Sequence, residues 1–351
     1  MSILDSESLS IYFLCEMPLS DTPDLRGFAS PTMLAVEDAL VVISELSGRI
    51  SASPVRGAWF RRAAWSGYAR AVQLQGGEID EIDVFSWGAG VPVPGRPRRH
   101  THDGEFEPFD LWWEKLHRFD RDAWRDALPF TPDVDRSVPR ILQAIDLTRQ
   151  YARRTGGIDA WLEMPRFLFQ LGVASTPLPC LVAGAKAFRL QSRLTDDQVR
   201  STLKGLSAAG KQGLVMVDMM EAGYREAVRA VRSEYRPGKL PELLALSLAL
   251  GVLSPASVVK HLALSIAGAG RLLDRATEIG LVVEITGRRS WKAYVEPQLA
   301  IALGFRKSPL GRPRKEAPAI APRLELEALF ADFDREMAAI NERLNGIPTS
   351  D

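Results

Sequence analysis

Between Ser254 and Val295 the chain reads SPASVVKHLALSIAGAGRLLDRATEIGLVVEITGRRSWKAYV, and no other stretch restricts the fold as tightly. Ser254 followed by Pro255 is a helix start: the serine hydroxyl can accept an orphan backbone N–H, and proline has none to lose at the first helical position. Val258, Val259 and Leu262 give that helix an inner face. A turn of three or four residues leads to a second cap, Ser265, and to a helix whose Ile266, Ala269, Leu272, Leu273, Ala276 and Ile279 share one side. Gly280 stops it. Two β-rich runs follow, LVVEI and SWKAYV, joined through Thr286, Gly287, Arg288 and Arg289.

Helix, tight turn, helix and basic hairpin is the layout of a winged helix-turn-helix, and the stretch resembles bacterial winged-helix regulators over about 45 residues. In such a domain the second helix enters the major groove of DNA and the wing reaches the adjacent backbone or minor groove. Opposite the apolar stripe lie Gly268, Arg271, Arg275 and Glu278, spaced i, i+3, i+7, i+10, so they are expected to face solvent together. Ser265, Ala267, Gly268, Arg271 and Arg275 are therefore the candidate contacts of the recognition helix. Arg288, Arg289 and Lys292 are the wing candidates, because long cations on a turn can follow phosphates and release counterions. Trp291 and Tyr294 are expected to pack the wing onto the helices. The AGAG at the front of the second helix has poor helix propensity, about 1 kcal/mol per glycine, and would permit close approach of backbone to DNA.

Charge points to the same end of the chain. Lys/Arg and Asp/Glu balance at 44 each, yet residues 254–315 hold eleven basic against four acidic residues, while residues 1–60 hold three against eight. A polyanion would bind the basic end. Past the wing, RKSPLGRPRKEAP contains Gly311-Arg312-Pro313 followed by Arg314 and Lys315. It resembles the core of an AT-hook, which lays arginine in the narrow minor groove of A·T-rich DNA. Leu310 stands where the full hook has arginine. Gly95-Arg96-Pro97-Arg98-Arg99 repeats the core, with Pro94 at that place. Farther on, Leu326, Phe330, Phe333, Met337, Ile340 and Leu344 follow the 4-3-4-3-4 spacing of a coiled-coil seam. That helix either pairs two chains into a homodimer or packs within its own chain.

At 351 residues more than one core is expected. The divisions read as an N-terminal helical domain over 1–135 with a Pro/Gly-rich arm at 88–104, a helical linking region over 136–239, the winged helix-turn-helix over 240–300, a basic linker over 301–322 and a C-terminal helix over 323–346. The fold class is mainly α. Leu111, Trp112, Leu116, Phe119 and Trp124 are core candidates, EIDEIDVF (78–85 region) alternates like a solvated face, and the chain from about 180 to 250 reads as mostly helical. No run approaches eighteen apolar residues, the N-terminus is acidic where a signal peptide is basic, and the expectation is a cytoplasmic protein without a membrane segment. Cys15 and Cys180 lack the spacing of a disulfide framework or a zinc site and are expected to be buried thiols.

Enzyme motifs are missing. There is no phosphate-binding P-loop, no G-x-S-x-G, no H-E-x-x-H and no dinucleotide fingerprint. His100, His102 and Asp103 offer at most two or three ligands in an arm with no further ligand placed. ARAVQLQGGEIDEIDVF, 69–85, resembles the helical region that precedes the catalytic domain of Fic (AMP-transferase) proteins, a family that often ends in a winged helix. The inhibitory motif Ser/Thr-x-x-x-Glu-Gly meets Ala71, Gln75 and Gly76 here, and the His-Pro-Phe-x-x-Gly-Asn-Gly-Arg loop is absent. The whole chain is more similar to an uncharacterised family of alphaproteobacterial, often plasmid-borne proteins with a C-terminal helix-turn-helix, a likeness carried by WSGYARAVQLQGGEIDEIDVFSWGAGVPVPGRPRR and by 240–295. The resemblance implies a DNA-binding regulator and no known reaction. Together with the residues above, the expectation is a non-enzymatic, transcription-regulating homodimer on double-stranded DNA, with no metal or cofactor and an effector left unnamed. An inactive Fic-like scaffold whose winged helix binds protein is the alternative.

Overall fold

The computed structural model describes residues 30–89, 91, 106–117, 124–126, 128–132, 137–287, 292–307 and 335, and it is mainly helical. Four helices open it: α1 (Ser30–Ala52), α2 (Arg56–Gln75), α3 (Glu81–Ala89) and α4 (Glu107–His117). Then come α5 (Arg140–Arg154), the short α6 (Asp159–Leu162) and α7 (Met164–Gln170), a 3-10 turn at Lys186–Arg189, and the long α8 (Asp196–Ser233). The remainder runs α9 (Leu240–Leu250), β1 (Val252–Leu253), α10 (Pro255–Leu262), α11 (Ile266–Glu278), β2 (Val283–Glu284), β3 (Tyr294–Val295) and α12 (Pro297–Ala302).

Helix α8 is the spine. Thr195 and Gln198 close a reciprocal capping box at its start, and 38 residues at 1.5 Å each make it about 57 Å long. Helix α1 lies along it in the same direction, since Asp38 accepts from Ser207 and Lys211 while Arg49 donates to Asp218 and Glu221. Two glycines let the helices come close. A β-carbon on Gly210 would sit 2.6 Å from Val42 Cγ1, and one on Gly213 would sit 2.9 Å from Leu46 Cδ2. Trp59 Nε1 donates to the Gly213 carbonyl at 3.1 Å, tying α2 to the same place.

Two buried clusters share this spine. The larger gathers Trp59, Tyr68, Phe85, Phe106, Trp112, Trp161 and Phe167 around α1, α2 and the first turns of α8. It draws on residues from both sides of position 135. The smaller takes Val228 and Val231 from the end of α8, Leu240, Leu243 and Leu244 from α9, and Val258, Ala269, Leu273 and Ala276 from α10 and α11. Between them lies an antiparallel sheet in the order β1-β3-β2, with Val295 opposite Val252 and Val283. Successive residues of a strand point to opposite faces. Val295 accordingly enters the larger cluster and Tyr294 the smaller.

Several expectations need correction. Leu111 is 60% exposed, because it sits on the outer side of α4 while Trp112 and Leu116 turn inward; Trp124 is buried as well. Phe119 lies outside the described residues. The 81–85 stretch is no solvated face: Asp80 accepts the backbone N–H groups of Ile82 and Asp83, and the helix so capped buries Val84 and Phe85. From Cys180 to Thr195 the chain is not helical apart from the 3-10 turn, since residues 180–183 are spent covering the core through local turns. Cys180 is a buried free thiol whose ionisation burial pushes up to about 12. Cys15 and the 326–344 seam lie outside the described residues. No helix among those described is long and apolar enough to cross a membrane.

Candidate nucleic-acid interface

The α10–α11 pair is assembled as its punctuation dictates. Ser254 Oγ accepts from the Ser257 backbone N–H at 3.1 Å, and Ser257 Oγ in turn accepts from the Ser254 backbone N–H at 2.9 Å, so α10 starts on a complete capping box. It ends at Ala263, whose φ of 52° is left-handed. A non-glycine residue there costs about 1–2 kcal/mol. That reversal sends the chain straight into Ser265, whose Oγ accepts from Gly268 N at 3.1 Å and caps α11.

Helix α11 then turns Ala269, Leu273 and Ala276 into the smaller core, with Leu272 and Ile279 half-buried against it. Ile266 departs from the expected inner face. It is 71% exposed and lines a cleft that the aromatic side of α3 and α4 also borders. On the outward side Ala267, Arg271, Asp274 and Glu278 are exposed and Gly268 is half-buried. Arg271 has no ion pair among the described residues.

Arg275 behaves differently from its neighbour. It forms an ion pair with Glu234 and donates to the Arg236 carbonyl at 2.8 Å, so it clasps the α8–α9 connection to α11 instead of facing solvent beside Arg271. The expectation of a shared face fails for a geometric reason: Arg275 lies some 40° farther round the helix, towards that connection. The clasp sets the exposed Arg236 next to α11, and the exposed Lys239, three residues on, pairs with Glu242 at 3.0 Å. The sequence signal for both is the EYRPGK turn between two helices. Lys260 on α10 adds a third exposed cation.

Beyond α11, Leu281 and Val282 are buried and β2 pairs with β3. Ile285 N donates to Ala293 O at 2.9 Å and Ala293 N donates to Thr286 Oγ1 at 3.2 Å, which carries the pairing outward to Gly287, at a positive φ of 59°. Lys292 stands at the base of this hairpin, 4.0 Å from Asp274 and 3.9 Å from Glu284. Tyr294 packs the hairpin onto the helices, with burial as the largest influence raising its phenol to about 12. Arg288, Arg289, Trp291, Arg312, Arg314 and Lys315 lie outside the described residues, as do Gly95–Arg99, His100, His102 and Asp103. Among the described residues no group of His, Cys, Asp and Glu could hold a metal ion.

Compared with known proteins, the chain matches no family model and no curated protein.

Proposed function

We propose that the protein binds double-stranded DNA sequence-specifically, through a winged helix-turn-helix over 240–300, and that it acts as a homodimeric regulator of transcription. The observation that carries the reading is the three-stranded β1-β3-β2 sheet closing the α10–α11 pair, with the outward side of α11 exposed around Arg271, which has no ion pair among the described residues. In that layout α11 is the recognition helix, with Arg236 and Lys292 beside it and Lys260 on α10 as the phosphate contacts. Arg288 and Arg289 extend the set at the hairpin tip. The 326–344 seam joins two chains so that two recognition helices reach half-sites about 34 Å apart.

A second reading has one observation in its favour. Asp274 and Glu278 flank Arg271 and would oppose a polyanion, which suits a basic protein partner better than DNA. Selection of bound duplexes from random sequence, followed by anisotropy on the winners across a salt series, separates the two. DNA binding loses affinity linearly in log salt, by about 0.9 per phosphate neutralised. Failure to enrich any sequence, together with no duplex binding at low salt, overturns the DNA reading.

A further inference from the structure

We propose that the cleft between the helical body and the α10–α11 pair is a binding site for a small aromatic carboxylate. The cleft encloses about 770 Å³, within the range of small-molecule sites. Its body wall is aromatic: Trp65 from α2, Trp87 from α3, and Phe109 and Trp113 from α4. Across from them stand the first residues of α10, Ile266 and the hairpin base at Lys292 and Ala293. The same space therefore touches both cores.

One charged group in it is poorly matched by the protein. Arg61 lines the cleft from α2, and its one hydrogen bond among the described residues is to the Leu248 carbonyl at 3.3 Å. No ion pair neutralises it there, in contrast to its neighbour Arg62, which pairs with Glu81 at 3.1 Å. Burial alone depresses the Arg61 guanidinium to about 10. A desolvated guanidinium without a counter-charge is the partner a carboxylate binds best, in a bidentate, charge-assisted pair. Beside it, indole faces offer stacking to a flat ring. Asp110, on α4 between Phe109 and Trp113, has its carboxyl raised by burial and then by Glu114, and it sets a limit on how much negative charge the site accepts. A monoanion with an aromatic body satisfies all three features. Ile266, exposed and apolar, would be covered by such a ligand.

Because the two walls belong to the body and to the α10–α11 pair, a bound ligand biases their relative placement and thereby the affinity for DNA. This consequence rests on the DNA-binding reading; the site itself does not. The test is accordingly made first without DNA. Calorimetry and quenching of tryptophan emission on the full chain compare 2-naphthoate with the neutral 2-naphthalenemethanol and the cationic 2-naphthylmethylamine. Saturable binding with at least a tenfold preference for the carboxylate is expected. Arg61→Gln should reduce naphthoate binding tenfold or more while leaving the alcohol unchanged. Asp110→Asn, at an exposed position that does not endanger folding, should tighten naphthoate several-fold, and Trp113→Ala should weaken both probes. No saturable binding, equal binding of the three probes, or an anion preference unchanged in both Arg61→Gln and Asp110→Asn would overturn the proposal. A second titration on the selected DNA duplex then reads the coupling: naphthoate that binds but leaves DNA affinity unaltered refutes the coupling alone.

Discussion

Replacing Gly270 with alanine separates what α11 needs for itself from what it offers to a partner. A glycine inside a helix costs about 0.5–1 kcal/mol relative to alanine. A methyl group at Gly270 would meet nothing within 4 Å, so it neither clashes nor gains packing. The folded chain should therefore gain about 0.5–1 kcal/mol, or a few degrees in Tm for a unit of this size. The position lies next to Arg271 on the flank of α11 that carries Asp274, where a DNA backbone would pass. A methyl group held against a phosphate ridge pushes the helix outward and lengthens every contact that Arg271 makes. Thermal unfolding and anisotropy on the selected duplex are the two assays. Higher Tm with affinity reduced several-fold is the expected pair of outcomes. Higher Tm with unchanged affinity would show that no partner approaches this flank closely. No gain in Tm would refute the open-space argument itself.

Arg271→Ala should cost about 1–3 kcal/mol on the preferred site and relax base preference at one position, read from a randomised site library. Arg275→Ala should instead lower stability, by about 0.5–1 kcal/mol for a partly exposed pair, and leave base preference intact, which chemical unfolding and the same library would check together. The double change Arg288→Ala and Arg289→Ala should weaken cognate and scrambled duplexes alike and reduce the slope of log K against log salt by about 1–2; an unaltered slope would remove both residues from the interface. Phe333→Glu with Met337→Glu should convert a dimer into a monomer that binds a half-site weakly, as measured by light scattering. A wild-type chain that is monomeric at micromolar concentration would mean the seam packs within its own chain.

The elements of the C-terminal unit were legible because their signals are local. Ser254, Pro255, Ser265 and Gly280 act on the backbone groups beside them, and the boundaries of α10 and α11 fall where these residues require. What periodicity could not supply was the neighbour of each face. Leu111 and Trp112 are adjacent apolar residues with opposite fates, because only the packing of α4 on α2 decides which one is covered. Arg271 and Arg275 looked equivalent at i and i+4, yet Glu234, 41 residues away in sequence, takes one of them out of the exposed face. Asp80 read as one acid in an alternating run, although its position before 81–89 makes it a cap. Both that cap and the cation-bearing EYRPGK turn are local signals, written in the residues themselves.

The cleft is of another kind, since its walls come from α2, α3, α4, α10 and the base of the hairpin, and no window of sequence contains it. Strand β3 explains why such a cleft can exist beside a firm connection. Its two residues belong to different cores, Val295 to the body and Tyr294 to the helix pair, so the sheet holds the units together along one edge. The shared helix α8 holds them along another. Helix α9 makes a third attachment, on α2, where Arg61 donates to the Leu248 carbonyl, and the aromatic side of α3 and α4 faces the start of α10 across the cleft. On the proposal made above, whatever fills the cleft touches α2–α4 and the starts of α10 and α11 at once, and so couples the body to the direction of α11.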